Sequence, residues 1–123
     1  MGKYANAKFP YEELEVWQYS IELAEIIYKI AKLFPEEERY GLSSQIRRCT
    51  SSIGLNIAEG KGRYSKKEFK HFLYIARASL YELSSCLELA LRLKYIDKEQ
   101  YGTIREKAFQ ILFMINSLIK SIT

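Results

Sequence analysis

Residues 65–90 read SKKEFKHFLYIARASLYELSSCLELA, and this stretch decides the fold. Ser65 and Glu68 at its head form an S-x-x-E capping box, in which the Ser hydroxyl accepts the amide hydrogen at the Glu position and the carboxylate reaches back. From there Phe69, Leu73, Ala76, Leu80, Leu83, Leu87 and Ala90 step alternately by four and three residues. That spacing holds one apolar stripe on one side of an α-helix and excludes a strand, whose side chains repeat every second residue. A helix is expected over about 66–94.

The same pattern repeats on both sides. After a short turn near Tyr95 to Asp97, with Asp97 as N-cap, Tyr101, Ile104, Ala108, Ile111, Ile115, Leu118 and Ile122 predict a helix over about 98–122. Upstream, Leu42, Ile46, Cys49, Ile53 and Ile57 predict one over about 41–60, running out at Gly60 and Gly62. Leu14, Trp17, Ile21, Ala24, Tyr28 and Ala31 predict a first helix over about 11–34, ended by Pro35 and the run Glu36, Glu37 and Glu38. Four helices with heptad-like stripes and short connections make an all-α, antiparallel up-down-up-down four-helix bundle the expected fold. At 123 residues the chain is read as a single domain, 1–123.

Composition points the same way. With 48% hydrophobic and 28% charged residues the chain can bury an ordinary core, and six Gly with two Pro are too few turn residues for a sandwich or barrel. Cys49 and Cys86 each fall inside an apolar stripe, so they are expected as reduced core thiols rather than a disulfide scaffold. The opening MGKYANAKF has no apolar signal core. The longest uninterrupted apolar run, Ile111 to Ile115, falls far short of the roughly 20 residues a membrane helix needs. No membrane partner is expected, and the location is expected to be cytoplasmic.

Two features exceed what an isolated bundle needs. The last helix carries a second stripe, Phe109, Leu112, Phe113 and Ile119, and the chain has ten Tyr and six Phe to accommodate, which predicts homo-oligomerisation. The second helix carries the small residues Ser44, Ser51, Gly54 and Ala58, which would let another backbone approach, inside the bundle or across subunits. A helix-interior Gly54 costs about 0.5–1 kcal/mol relative to Ala, which points to tight packing or a kink.

Catalytic chemistry is sparse. His71 is the only histidine, and Glu68 with His71 supplies one Glu-x-x-His where a di-iron bundle uses two and further Glu residues. Arg63 and His71 stand too far apart for the Arg-His motif of HEPN-type bundle ribonucleases. Gly60-Lys61-Gly62 is not a P-loop, and no Gly-x-Ser-x-Gly occurs. The expectation is a protein that is not an enzyme and uses no metal and no cofactor.

Charge is the positive signal. The formal net charge is +4, yet residues 1–38 sum to −4, residues 39–77 to +7 and residues 78–123 to +1. Lys61, Arg63, Lys66, Lys67 and Lys70 fall within ten residues at the turn between the second and third helices. Lysines in the first turns of a helix oppose its macrodipole at a few tenths of a kcal/mol each, a cost that suggests a use. Arg47 and Arg48 add guanidinium groups on the second helix, unless an acidic group of the first helix pairs with them. These seven residues are the candidate phosphate contacts, and nucleic acid is the expected partner. Tyr64 and Tyr74 are candidates to stack on bases or, more simply, packing residues. The alternative function is a structural or adaptor protein that docks a protein partner on the basic turn.

Several of these segments together resemble a known family. YGLSSQIRR at 40–48, NIAEG at 56–60, Gly62-Arg63 and SKKEF at 65–69, with ELEVW at 13–17 and YEL at 81–83, are similar to the 23S rRNA intervening-sequence protein family of bacterial four-helix bundles. The resemblance spans about residues 9–96 and implies a bundle that assembles into a ring, a pentamer among relatives. It also implies a likeness to the accessory protein of diversity-generating retroelements, a basic bundle that binds nucleic acid and a reverse transcriptase. By position, Arg47, Arg48, Arg63, Lys66 and Lys67 match the family's basic signature. Gly54-Leu55 stands where relatives commonly have Pro-Ser, and Cys49-Thr50 where they commonly have two alanines.

Overall fold

The computed structural model describes residues 1–122. Helices α1 (Glu15–Ala31), α2 (Leu42–Lys61), α3 (Lys66–Arg92) and α4 (Lys98–Ser121) follow one another, with short 3-10 turns at Pro10–Glu13 and Glu36–Glu38. No strand occurs among the described residues. Each helix packs on the next, and α1 also packs on α4, while the diagonal pairs keep their backbones farther apart. Directions alternate. Gln45 and Ser52 of α2 bond Glu82 and Ser79 of α3, and Arg77 and Glu88 of α3 bond Asn116 and Tyr101 of α4. This is the expected antiparallel four-helix bundle.

The predicted stripes of α2, α3 and α4 line the core, with Ile53, Ile57, Leu73, Leu83 and Ile115 fully buried. Helix α1 differs. Its buried column is Val16, Ser20, Leu23, Ile27 and Ala31, about one residue, or 100°, around from the predicted stripe. Ser20 reads as polar in sequence, but its hydroxyl donates to the Val16 carbonyl at 2.7 Å and so enters the core without an open hydrogen bond. Of the predicted column Ala31 is shared with the core and Tyr28 is exposed, while the rest is half-buried on the flank, where Trp17 and Ile21 lie against Gly54 of α2. Gly54 therefore serves packing inside the bundle, and α2 runs unbroken through it. Helix α1 also starts later and ends earlier than predicted, because Leu14 is extended (ψ 121°) and residues after Ala31 turn so that Phe34 can enter the core beside Tyr95.

The ends of the helices are held by side chains that periodicity does not reveal. Glu38 accepts the Leu42 amide at 3.0 Å and the Tyr95 hydroxyl at 2.8 Å, tying the 3-10 turn, the start of α2 and the α3–α4 turn together. These bonds, the Leu42 amide first, hold its carboxyl below the usual carboxylate range. Asp97 caps α4 as expected, and Gln100 completes the reciprocal box. At α3 only the first half of the expected box forms, Ser65 Oγ accepting from the Glu68 amide at 3.1 Å. Helix α3 ends in a Schellman turn with Lys94 left-handed at φ 64°, its amide and that of Tyr95 returning to Leu91 and Ala90.

One buried polar atom stands out. The Thr50 hydroxyl is fully buried and has no hydrogen-bond partner. A helical Thr usually bonds the carbonyl four residues back, but here the Cys49 thiol donates to that Ile46 carbonyl at 3.4 Å. An orphaned buried hydroxyl costs roughly 1–3 kcal/mol. Thr50→Val should therefore stabilise the protein by about 1 kcal/mol, read as a higher urea midpoint at unchanged slope; a lower midpoint would mean that the hydroxyl is satisfied in solution.

Candidate nucleic-acid interface

The α2–α3 turn is built on a close helix contact. Gly60, buried in the last turn of α2, lies so near α3 that a Cβ there would stand 2.6 Å from Phe72 Cβ and 3.0 Å from Phe69 Cδ1. Gly60 was expected only to end a helix, and Gly62 has an ordinary right-handed φ of −83°, so close approach rather than turn geometry accounts for Gly60. The helix-ending Gly62 amide bonds back to Ala58 and Glu59, and the Arg63 amide to Gly60. Ser65 then starts α3.

On this frame the five cations of the turn come together. Lys61 Nζ lies 5.7 Å from the Phe69 ring centre and Arg63 sits over Phe72 at 4.7 Å, within cation–π range. Arg63 Nη2 also donates to Glu59 Oε2 at 2.6 Å. Phe69, Phe72 and Glu59 were missed as parts of this site. The Glu59–Arg63 i, i+4 spacing was visible, whereas Phe72 lies off the apolar stripe. Lys66 and Lys67 occupy the first two positions of α3 and are exposed, and Lys70 is half-buried one turn on. Among the described residues none of the four lysines makes an ion pair. Tyr64, at the tip of the turn, is fully exposed with a relative exposure of 102%, so it is not a packing residue.

Arg47 and Arg48 are elsewhere. At about 1.5 Å per residue, Arg47 stands roughly 21 Å up α2 from Lys61, so the pair forms a second basic point and not part of the turn. No ion pair to the first helix holds them among the described residues. Tyr74 has one face covered by Arg77 at 4.9 Å, and Arg77 in turn donates to Asn116 at 2.9 Å.

Other chemistry is thin. Cys49 and Cys86 are free and buried, and the neighbouring Cys86 thiol together with burial pushes the Cys49 thiol up, so it stays protonated at neutral pH. Glu68 is exposed, as is His71, whose ring meets Phe72 edge-on at 5.8 Å. Among the described residues no cluster of three metal-ligating side chains occurs, and no helix is long and apolar enough to cross a membrane.

Comparison with known proteins matches the sequence model of the 23S rRNA-intervening sequence protein family to residues 12–117. The chain belongs to the 23S rRNA-intervening sequence protein family. The match takes in all four helices, all but the last turn of α4, and both basic points. The chain is also similar to a crystal structure from Bacteroides thetaiotaomicron, a protein of unknown function from the S23 ribosomal protein family. That likeness has a TM-score of 0.80 at 36% identity, covering 85% of this chain and 98% of the other. No curated protein is significantly similar. For this member of the intervening-sequence family, fold and family are thus shared with a relative that carries no assigned activity.

Proposed function

We propose that this protein is a non-enzymatic, self-associating bundle that binds nucleic acid through the phosphate backbone at its α2–α3 turn. The observation that carries the reading is the set of four lysines without ion pairs, gathered beside Arg63 at one helix junction. Like charges this close repel one another, and the amide-rich start of α3 adds to the same positive potential. Glu59 is already engaged by Arg63, which leaves the exposed Glu68 as the one carboxylate within the basic stretch to oppose the lysines. A phosphate chain relieves that repulsion and releases counterions, so binding is weakly sequence-specific and steeply salt-dependent.

Self-association rests on a different face. Phe109 (44% exposed) and Phe113 (69%) project from α4, with Tyr81 (55%) of α3 bordering the shallow apolar groove between these helices. Covering this face with further copies would repeat the basic turn around an assembly and raise the effective concentration of cations along one strand. A ring of five is the form that the family resemblance implies. The same apolar face also favours a second reading, an adaptor that receives a different protein there.

The test is fluorescence anisotropy with labelled RNA and DNA over a salt series. About five phosphate contacts give a log–log slope near −4. Lys66→Glu with Lys67→Glu should weaken binding at least tenfold at about 0.1 M salt while leaving the protein at least as stable to heat, since both side chains are exposed and acidic residues suit a helix start. Unchanged affinity in that double variant removes the turn from the reading.

A further inference from the structure

We infer that Tyr64 is a stacking platform for an unpaired base, so that the ligand of the basic turn is single-stranded nucleic acid; this rests on the reading above. Aromatic rings near cations in this protein are usually occupied. Lys3 lies over Tyr4, Arg39 over Tyr40, Lys61 over Phe69, Arg63 over Phe72 and Arg77 over Tyr74. Tyr64 sits between Arg63 and Lys66, inside the densest basic stretch of the chain, yet carries no cation and is the most exposed of the tyrosines that the fold leaves on its surface. Both ring faces are therefore open, and the folded protein gains no packing from them.

The backbone that carries the ring is held in position. The backbone on either side is fixed by the Arg63 amide bonded to the Gly60 carbonyl at 3.1 Å and by the Ser65 cap on Glu68 at 3.1 Å. Arg63 itself is fastened to Glu59 and Phe72, which keeps its guanidinium from folding over Tyr64. A tyrosine with two rotatable side-chain bonds on a fixed backbone loses little freedom when a base settles on it. Open aromatic faces among phosphate-binding cations are the pattern of single-strand recognition, because every base has a π-face and a duplex keeps those faces inside its own stack.

The experiment compares intact protein with Tyr64→Ala and Tyr64→Phe on labelled single-stranded RNA and DNA of about twelve nucleotides and on the matching duplexes. Tyr64→Ala should bind both single strands about 5- to 150-fold more weakly, with Tyr64→Phe like the parent. The salt slope should stay the same, because no cation is lost. Equal affinity of Tyr64→Ala for the single strands, with the Lys66 and Lys67 reversals still destroying binding, overturns the stacking role and leaves the phosphate reading intact. An equal loss on duplexes overturns the single-strand assignment. If the parent binds none of the probes, both readings fall. Tyr64→Ala should melt like the parent, since the ring touches nothing.

Discussion

Replacing Gly60 by Ala lowers the stability of the bundle by about 2 kcal/mol, although the same substitution in most helices is stabilising. A Cβ at Gly60 meets Phe72 Cβ at 2.6 Å and the Phe69 carbonyl at 3.3 Å. Neither neighbour can rotate away, because both are part of or bonded to the α3 backbone, so the two helices must separate. A clash at 2.6 Å with a carbon bonded to the backbone sits at the upper end of the roughly 1–3 kcal/mol that overpacking costs, and the better helix propensity of Ala returns about 0.5–1. For a chain of 123 residues the melting temperature should fall by about 6–10 °C. Gly54 and Gly102 supply the contrast. The Gly54 Cβ would meet the flexible tip of Ile21 at 3.2 Å, and Gly102 has nothing within 4 Å. Gly54→Ala should be near neutral and Gly102→Ala should stabilise by about 0.5–1 kcal/mol. A thermal melt of all three separates the explanations, for if Gly60→Ala also stabilises, the close α2–α3 contact is absent in solution. Because Lys61 and Arg63 rest on Phe69 and Phe72, the same variant should also weaken nucleic-acid binding.

Phe109→Asp with Phe113→Asp should reduce the proposed assembly to single chains of 14.4 kDa in light scattering coupled to size exclusion. Burying an aromatic side chain stabilises an interface by roughly 1.5–3 kcal/mol, and an aspartate in its place adds an unpaired charge that must be desolvated. Two such changes on a face that repeats at every contact leave no favourable term to hold copies together. Neither residue belongs to the buried core, so the variant should keep its helical circular dichroism. A parent protein that is already a single chain sends the aromatic face to the adaptor reading. A double variant that stays assembled moves the interface off α4.

The bundle was legible because three of its helices present one dominant apolar column. In α2, α3 and α4 most residues at alternating three and four spacing are the ones that the core buries, although Phe69, Tyr101, Leu118 and Ile122 are only half-buried and Ile119, expected on the outer stripe of α4, enters the core instead. In α1 two columns compete. Trp17, Ile21 and Tyr28 are bulkier than Val16, Ser20 and Leu23, and only the tertiary partners decide: a glycine on α2 receives the large flank, and a serine bonded to its own helix enters the core. The basic turn was legible from charge density alone. What could not be read was which cations were already engaged, since pairing of Arg63 with Phe72 and Glu59 depends on how closely Gly60 lets the helices approach. The separation of Arg47 and Arg48 from the turn follows from helix rise and was available in sequence; grouping them with the lysines by charge obscured it.

The uneven grip between helices has a consequence for motion. Contact between α2 and α3 is far more extensive than between either neighbour and the outer helices, and α4 is the least embraced. These two helices are joined by the shortest connection, so their contacts close a small loop and form at little entropic expense. Amides along their seam should therefore exchange with solvent last and those of α4 first. The basic turn thus rides on the most closely joined helix pair of the bundle. It keeps its shape while the helix that presents the aromatic face remains free to adjust.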